Sequence, residues 1–336
     1  MDFLNALVAL LNYVIIPATT YGSQLAFGAL GVTIIYGTLR FSNYAGGETM
    51  AWGAMFTILF TWFFQSIGIS IQPLPTALLA LPFSIIITVL LMLAIDQSVY
   101  KYYRVKRSDP SIVIIVSLGV AMMMNATTRI IIGPKDRNFF DGERFLIKAR
   151  EFKNITGLSE GISLKFSQII TVSSSVFFVV ILFWFLYKTK TGKSMRAYSD
   201  NEDLALLSGI DPKKVVMITW VIAAILATVG GALYGLDKSF KPFTYFNNML
   251  PIFAAAIVGG IGNPFGAFLG GYVIAFAEIF LTYAYKRFMS YLLPESLEPN
   301  SLLQLLSTDY KFAISFSILV IVLLVRPSGI FKGKTL

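Results

Sequence analysis

The chain contains neither cysteine nor histidine. The first absence rules out disulfides and thiol chemistry; the second removes the commonest metal ligand and proton shuttle. Charge is scarce too. Only 13% of the 336 residues are Asp, Glu, Lys or Arg, against about 25% in soluble domains. The longest polar stretch is residues 133–168, which leaves no room for a large soluble domain. Residues 1–39 hold no Lys or Arg, so a secretory signal with a charged n-region is not expected and the membrane spans must do the targeting.

What is present is apolar. Hydrophobic residues make up 56% of the chain and the mean hydropathy is +0.72. This predicts an all-α, polytopic integral membrane protein forming one transmembrane domain over residues 1–336. A span needs about 20 mainly apolar residues. Runs 18–39, 48–67, 75–95, 112–132, 169–187, 215–236 and 312–325 qualify. The stretch 249–285 is too long for one span and reads as a short segment, 249–260, followed by a full one, 264–285. Residues 3–16, set off by Pro17, are either a further span or an interfacial helix. The count is nine or ten membrane segments.

The net charge of +9 does not indicate nucleic acid, because Lys and Arg sit in short loops between apolar runs. Basic residues crowd 96–111 (Lys101, Arg104, Lys106, Arg107) and 188–214 (Lys188, Lys190, Lys193, Arg196, Lys213, Lys214). Two spans separate these loops, so they share a side, and the positive-inside rule makes it cytoplasmic. The tail with Arg326, Lys332 and Lys334 follows them. Segment 133–168 then lies outside despite seven basic and five acidic residues; long loops weigh less in this rule.

TGKS within Lys190–Ser194 invites a phosphate-loop reading. That loop requires a glycine where Tyr187 stands and a preceding strand; here an apolar helix precedes it, so no nucleotide site is expected. Arg40–Met55 places Asn43 and Glu48 beside Gly46 and Gly47 between two apolar runs. This is either a simple cytoplasmic turn or a bent element near a transport path, since irregular backbone at membrane depth is tolerated only against protein or a water-filled cavity. Ala256–Gly271 interleaves glycine and alanine with apolar residues and suits close helix packing, or a broken helix lining the path, with Gly260 and Asn263 at the turn before Pro264. Glu278 lies inside an apolar run and needs a buried partner or water. Arg129 is a candidate partner, unless it snorkels to the interface.

Between Lys188 and Pro212 the apolar runs give way to one short charged helix. Ser199 with Glu202 fits a capping box. Asp200, Glu202 and Asp203 complement the positive end of the helix dipole, and Gly209 supplies a left-handed stop. About two turns of helix are too short to be stable alone. The segment is either an ordinary connector or a knob, with Leu204, Ala205 and Leu207 along it, that docks into a partner protein.

At these same segments the chain resembles the permease subunits of ATP-binding-cassette importers for branched-chain amino acids and related amides. ALGVTIIYGTLRFSNYAGGE is similar to the family's first block, with Gly46 where a histidine is common, so any role of that histidine is lost. RAYSDNEDLALLSGIDPKKV resembles the cytoplasmic coupling loop. AAAIVGGIGNPFGAFLGGYVIAFAE resembles the glycine-rich block, and STDYKFAISFSILVIVLLVRPSGIF the closing span. The resemblance runs nearly the whole length, with 133–168 least alike. It implies a multi-pass protein of a bacterial-type cytoplasmic (inner) membrane that works by alternating access. The implied partners are a second permease subunit, usually a different chain, two cytoplasmic ATPase subunits that bind the ATP, and an extracytoplasmic solute-binding protein. The permease itself needs no cofactor. Ser199, Asp200, Glu202, Asp203, Leu204, Ala205, Leu207 and Gly209 would then form the ATPase-coupling helix. Asn43, Gly46, Gly47, Glu48, Gly260, Asn263 and Glu278 are candidates for the path. The competing readings are an ion-coupled secondary transporter with Glu48 or Glu278 as the ion site, and a channel or importer for urea or an amide.

Overall fold

The computed structural model describes residues 2–293 and 301–332; Lys334, counted above with the tail, lies outside them. Nearly every apolar run becomes a helix. α1 (Asp2–Leu10) and α2 (Ile16–Leu39) join through a wide turn at Leu11–Ile15 into one helix of 38 residues. Pro17 therefore does not divide them. A proline lacks the N–H and crowds the carbonyl one turn back, and the wider turn just before it opens that space.

α3 (Gly46–Ser66) follows a buried bend, and α4 (Ala77–Ile95) continues through a second wide turn into α5 (Lys101–Val105). α6 (Pro110–Ile132) starts on an Asp109 cap, whose carboxylate accepts from Ser111 N at 2.8 Å. The polar stretch folds as a small antiparallel pair, β1 (Phe145–Ile147) and β2 (Leu164–Lys165), around α7 (Ala149–Thr156). Then come α8 (Phe166–Lys188), α9 (Lys190–Asp200), α10 (Glu202–Leu207) and α11 (Pro212–Lys238). α12 (Pro242–Gly259), α13 (Pro264–Thr282), the short α14 (Lys286–Met289) and α15 (Lys311–Val325) complete the described chain.

Among the described residues, seven helices are long and apolar enough to cross a membrane: Asp2–Leu39, Ala77–Val105, Pro110–Ile132, Phe166–Lys188, Pro212–Lys238, Pro264–Thr282 and Thr308–Val325. The sequence count is nine or ten. Two of the differences are α3 and α12. Glycines, threonines and Glu48 dilute α3, and Asn247, Asn248 and Pro251 dilute α12. The tenth disappears because residues 3–16 belong to the first helix.

α2 and α11 are buried almost all round, while α4, α6, α8 and α15 each leave one face exposed. α2 packs on α13 and α11, α11 on α3, and α12 on α13. The glycine-rich block explains the last contact: a Cβ on Gly259 would collide with the carbonyl of Gly266, so only glycine permits this approach. The two ends of the bundle differ. At one end the polar segment folds over the start of α1, where Asn5 and Asn12 accept from the backbone N–H groups of Glu160 and Ser163 at 3.1 and 2.9 Å. At the other end lie α9 and α10, separated from that segment by the length of α8.

Candidate functional site

The segment after α8 is two helices, where the sequence suggests one. Thr189 caps α9, its hydroxyl oxygen accepting from Gly192 N at 3.0 Å, and Met195 and Tyr198 turn inward. Asn201 then leaves the helical conformation, with φ −151° and ψ 111°, and its Oδ1 accepts from Leu204 N at 3.0 Å. Asn201, not Ser199, therefore caps α10. The expected Ser199–Glu202 box does not form, because α9 stays helical through Asp200 and a residue in helical conformation cannot cap the next helix. Ser199 instead donates to Gly37 O at 2.6 Å, and Glu202 accepts from the Tyr198 hydroxyl at 2.7 Å. Burial, and then the Glu202 carboxylate, raises that hydroxyl's pKa above the ordinary tyrosine value. Asp200 sits at the C-terminal end of α9 rather than in the first turn of α10; Glu202 and Asp203 do occupy that turn.

The stop is as the sequence suggests. Gly209 has φ +78°, its N–H reaches Leu206 O at 3.0 Å and Ile210 N–H reaches Ala205 O at 3.0 Å, the paired bonds of a Schellman ending. Asp211 and Pro212 then open α11, with Asp211 accepting from Lys213 N at 2.9 Å. This unit is pinned to the end of α2: the Arg40 guanidinium donates to Ser199 O, alongside the Ser199–Gly37 bond. Ala205 faces inward at 3% exposure, whereas Leu204 and Leu207 are 61% and 85% exposed. Leu204 and Leu207 thus give α10 an exposed apolar face. Replacing Asn201 with alanine should cost about 1 kcal/mol of cap and speed amide exchange across 202–208 roughly fivefold. Ser199→Ala should leave that exchange unchanged; the opposite pattern would restore Ser199 as the cap.

Beside α9 is a cavity of about 390 Å³, lined by Gly37, Thr38, Arg196, Asp200, Asn263 and Lys332 among others. No sequence window could show it, because five separated segments build it.

Asn43, Gly46, Gly47 and Glu48 form a buried bent element, not an exposed turn. Asn43 is 1% exposed and its Oδ1 accepts from Ala45 N and the Tyr100 hydroxyl, both at 3.1 Å. Tyr44 N donates to Ser117 Oγ at 3.1 Å. Gly47 N donates to Met249 Sδ at 3.1 Å, and a Cβ there would stand 2.8 Å from Tyr245 O. Glu48 is also 1% exposed; Oε1 accepts from Asn125 Nδ2 at 2.8 Å, and Arg129 lies one turn further along α6 within electrostatic reach. A cavity of about 20 Å³ touches Asn43, Gly46, Thr49 and Trp220, room for about one water.

Gly260 (φ +111°) and Asn263 make the turn between α12 and α13. Asn263 caps α13, accepting from Phe265 N and Gly266 N at 3.1 and 3.2 Å, and its amide donates to Phe331 O at 2.8 Å. The chain after Arg326 is thereby clipped onto this turn, with Ile330 N also donating to Val258 O at 2.8 Å. Glu278 is fully buried, but its partner is not Arg129. Lys311, at the start of α15, lies 3.2 Å from it, and Ser315 donates to its other oxygen. Arg129 faces Glu48 and the Phe243 ring, 5.4 Å away. The reason is packing: α15 lies against α13, so one turn of α15 supplies both groups. The path candidates thus occupy three separate places, the α3 start, the α12–α13 turn and the α13–α15 contact, and do not converge.

Residues 14–323 match the family model described as branched-chain amino acid transport system / permease component. The chain is 29% identical to the high-affinity branched-chain amino acid transport system permease protein LivH of Salmonella typhimurium, over 93% of this chain and 92% of that one. It is 28% identical to LivH of Escherichia coli over the same shares. It is 25% identical to the permease protein BraD of Pseudomonas aeruginosa over 94% of both chains. No solved structure matches.

Proposed function

Because the chain belongs to the family of branched-chain amino acid transport system permease components, we propose that α10 is the element through which it is driven. The chain is a multi-pass inner-membrane permease subunit of an ATP-binding-cassette importer for branched-chain amino acids or close relatives. The observation that carries the proposal is the exposed Leu204–Leu207 pair on a six-residue helix, capped at both ends and pinned to α2 through Ser199. A helix this short gains nothing by existing alone; rigidly mounted, it transmits force. Two ATPase subunits, one engaging α10, would bind and hydrolyse ATP, this chain having no phosphate loop. A second permease chain would complete the path, and an extracytoplasmic binding protein would deliver solute. Alternating access would then follow from movement of α10 passed through α9 to the end of α2.

The finer topology follows the same reading. α3 and α12 are held inside the membrane by neighbours rather than by their own hydropathy, giving nine segments with 188–214 in the cytoplasm and 133–168 outside. In this cysteine-free chain a cysteine at Leu207 should resist impermeant thiol reagents applied to intact cells, and one at Asn154 should react; reversed labelling would overturn the orientation. A secondary transporter needs a carboxylate that exchanges ions with water. Glu48 and Glu278, at 1% and 0% exposure and each already bonded, are poorly placed for that. The deciding test is reconstitution with the ATPase and binding-protein subunits: uptake should follow ATP hydrolysis and survive a collapsed proton gradient. Uptake that dies with the gradient at constant ATP would favour the ion-coupled reading.

A further inference from the structure

At the end of the bundle away from α10, the polar segment, the start of α8 and the end of α11 enclose a cavity of about 420 Å³. This lies within the range of small-molecule sites. Arg144, Lys165 and Lys238 line it, with Asp237 as the carboxylate among them. Lys165 and Asp237 form a loose pair at 3.8 Å, and Ser167 donates to Asp237 at 3.3 Å. Among the described residues, Arg144 and Lys238 make no salt bridge. The Lys238 ammonium is held instead over the rings of Tyr21 and Tyr234, 4.6 and 5.6 Å from their centres. The next residue, Ser239, has φ +72° and ψ 157°, a conformation that glycine normally takes. Such strain persists where the surroundings impose it, and it clusters at binding sites. Asp237 and Lys238 precede Ser239 on the cavity wall.

Three cations and one anion in one recess leave an excess positive charge that focuses the local field and attracts an anionic group. The loosely held Asp237 offers a counterpart for a cation in the same space. A ligand carrying both charges a few bonds apart satisfies the two at once. We infer that this cavity binds the zwitterionic head of a free α-amino acid, its carboxylate toward Arg144 and Lys238 and its ammonium toward Asp237. The inference rests on the permease reading and assigns solute an entry site on the end that receives it.

The test uses the intact permease–ATPase assembly in lipid nanodiscs, without binding protein or ATP, and radiolabelled leucine. Saturable binding is expected, competed by unlabelled leucine but not by isoamylamine, which lacks the carboxylate. Arg144→Gln, on an exposed side chain, and Lys238→Met should each weaken binding tenfold or more, and Asp237→Asn about as much, with ATPase copurification unchanged. No saturable binding to the parent assembly, or binding indifferent to Arg144→Gln and Lys238→Met, overturns the inference. So does loss of binding-protein-dependent uptake in these variants with leucine binding intact, which would give the cavity to a carboxylate of the docked protein. Uptake by the same assembly in proteoliposomes separates the two readings. If uptake proceeds without leucine binding at the cavity, only this site falls; if the complete assembly takes up nothing, the permease reading falls and the site with it.

Discussion

Replacing Leu204 and Leu207 together with aspartate should release the ATPase subunits and abolish uptake while the permease still inserts at normal levels. The two side chains lie three residues apart on neighbouring turns, both well exposed, while Ala205 holds the opposite side of α10 against the bundle. Truncating a buried interface anchor commonly costs 2 kcal/mol or more, roughly a thirtyfold loss of affinity, and aspartate adds the cost of burying a charge. Because neither leucine supports the fold, the loss should appear in ATPase copurification and not in the amount of permease extracted. Gly209→Val should act in the same direction by another route. A β-branched residue at φ +78° is strained, so the Schellman bonds to Ala205 and Leu206 would break and α10 would lose its ending. If ATPase copurification and uptake both survive the double aspartate variant, α10 is a connector and the coupling proposal fails.

How far the sequence shows this element depends on the range of each interaction. The left-handed glycine, Glu202 and Asp203 in the first turn and the outward leucines are local properties, and, unlike Asp200, which closes α9 instead, they stand in the structure where the sequence places them. The cap does not, although it too is local. Ser199 and Asn201 are both good caps, and the choice was made by α9, whose inward Met195 and Tyr198 extend the preceding helix through Asp200. The apolar runs gave the helices because composition alone marks a span, yet α3 and α12 show the limit of that signal. Each lacks a window apolar enough to mark a span yet packs deep in the bundle, as Gly47 against Tyr245 shows. Glu278 was recognisable as needing a partner, but not which one. Lys311 reads in sequence as an ordinary basic residue flanking the last span, and only the docking of α15 on α13 brings it to the carboxylate. The basic recess of Arg144, Lys165 and Lys238 left no sequence signal for the same reason: its walls come from three segments, the first two cations lying 21 positions apart in sequence and the second and third 73.

Glu278 and Lys311 should behave as a coupled pair, and unequally. Glu278→Gln removes the only carboxylate that approaches Lys311 among the described residues, and Lys311 and Lys238 then share the Tyr21 ring, at 3.6 and 4.6 Å, without it. Breaking a buried ion pair from one side costs about 3–5 kcal/mol, because the surviving charge stays desolvated. The variant should insert, since glutamine is no harder to bury than a carboxylate, but unfold at a much lower denaturant concentration. Lys311→Met should cost less. Glu278 would keep the Ser315 hydroxyl, and Lys238 remains as a nearby positive charge. Glu278→Met with Lys311→Met should recover most of the loss, since apolar groups of similar size often replace a buried pair with little penalty. The measurement is a double-mutant cycle on denaturant midpoints in detergent, which isolates the pairwise energy. Single losses below about 1 kcal/mol that simply add would mean that α13 and α15 are held by packing alone, and that the charges at their contact are not a clamp.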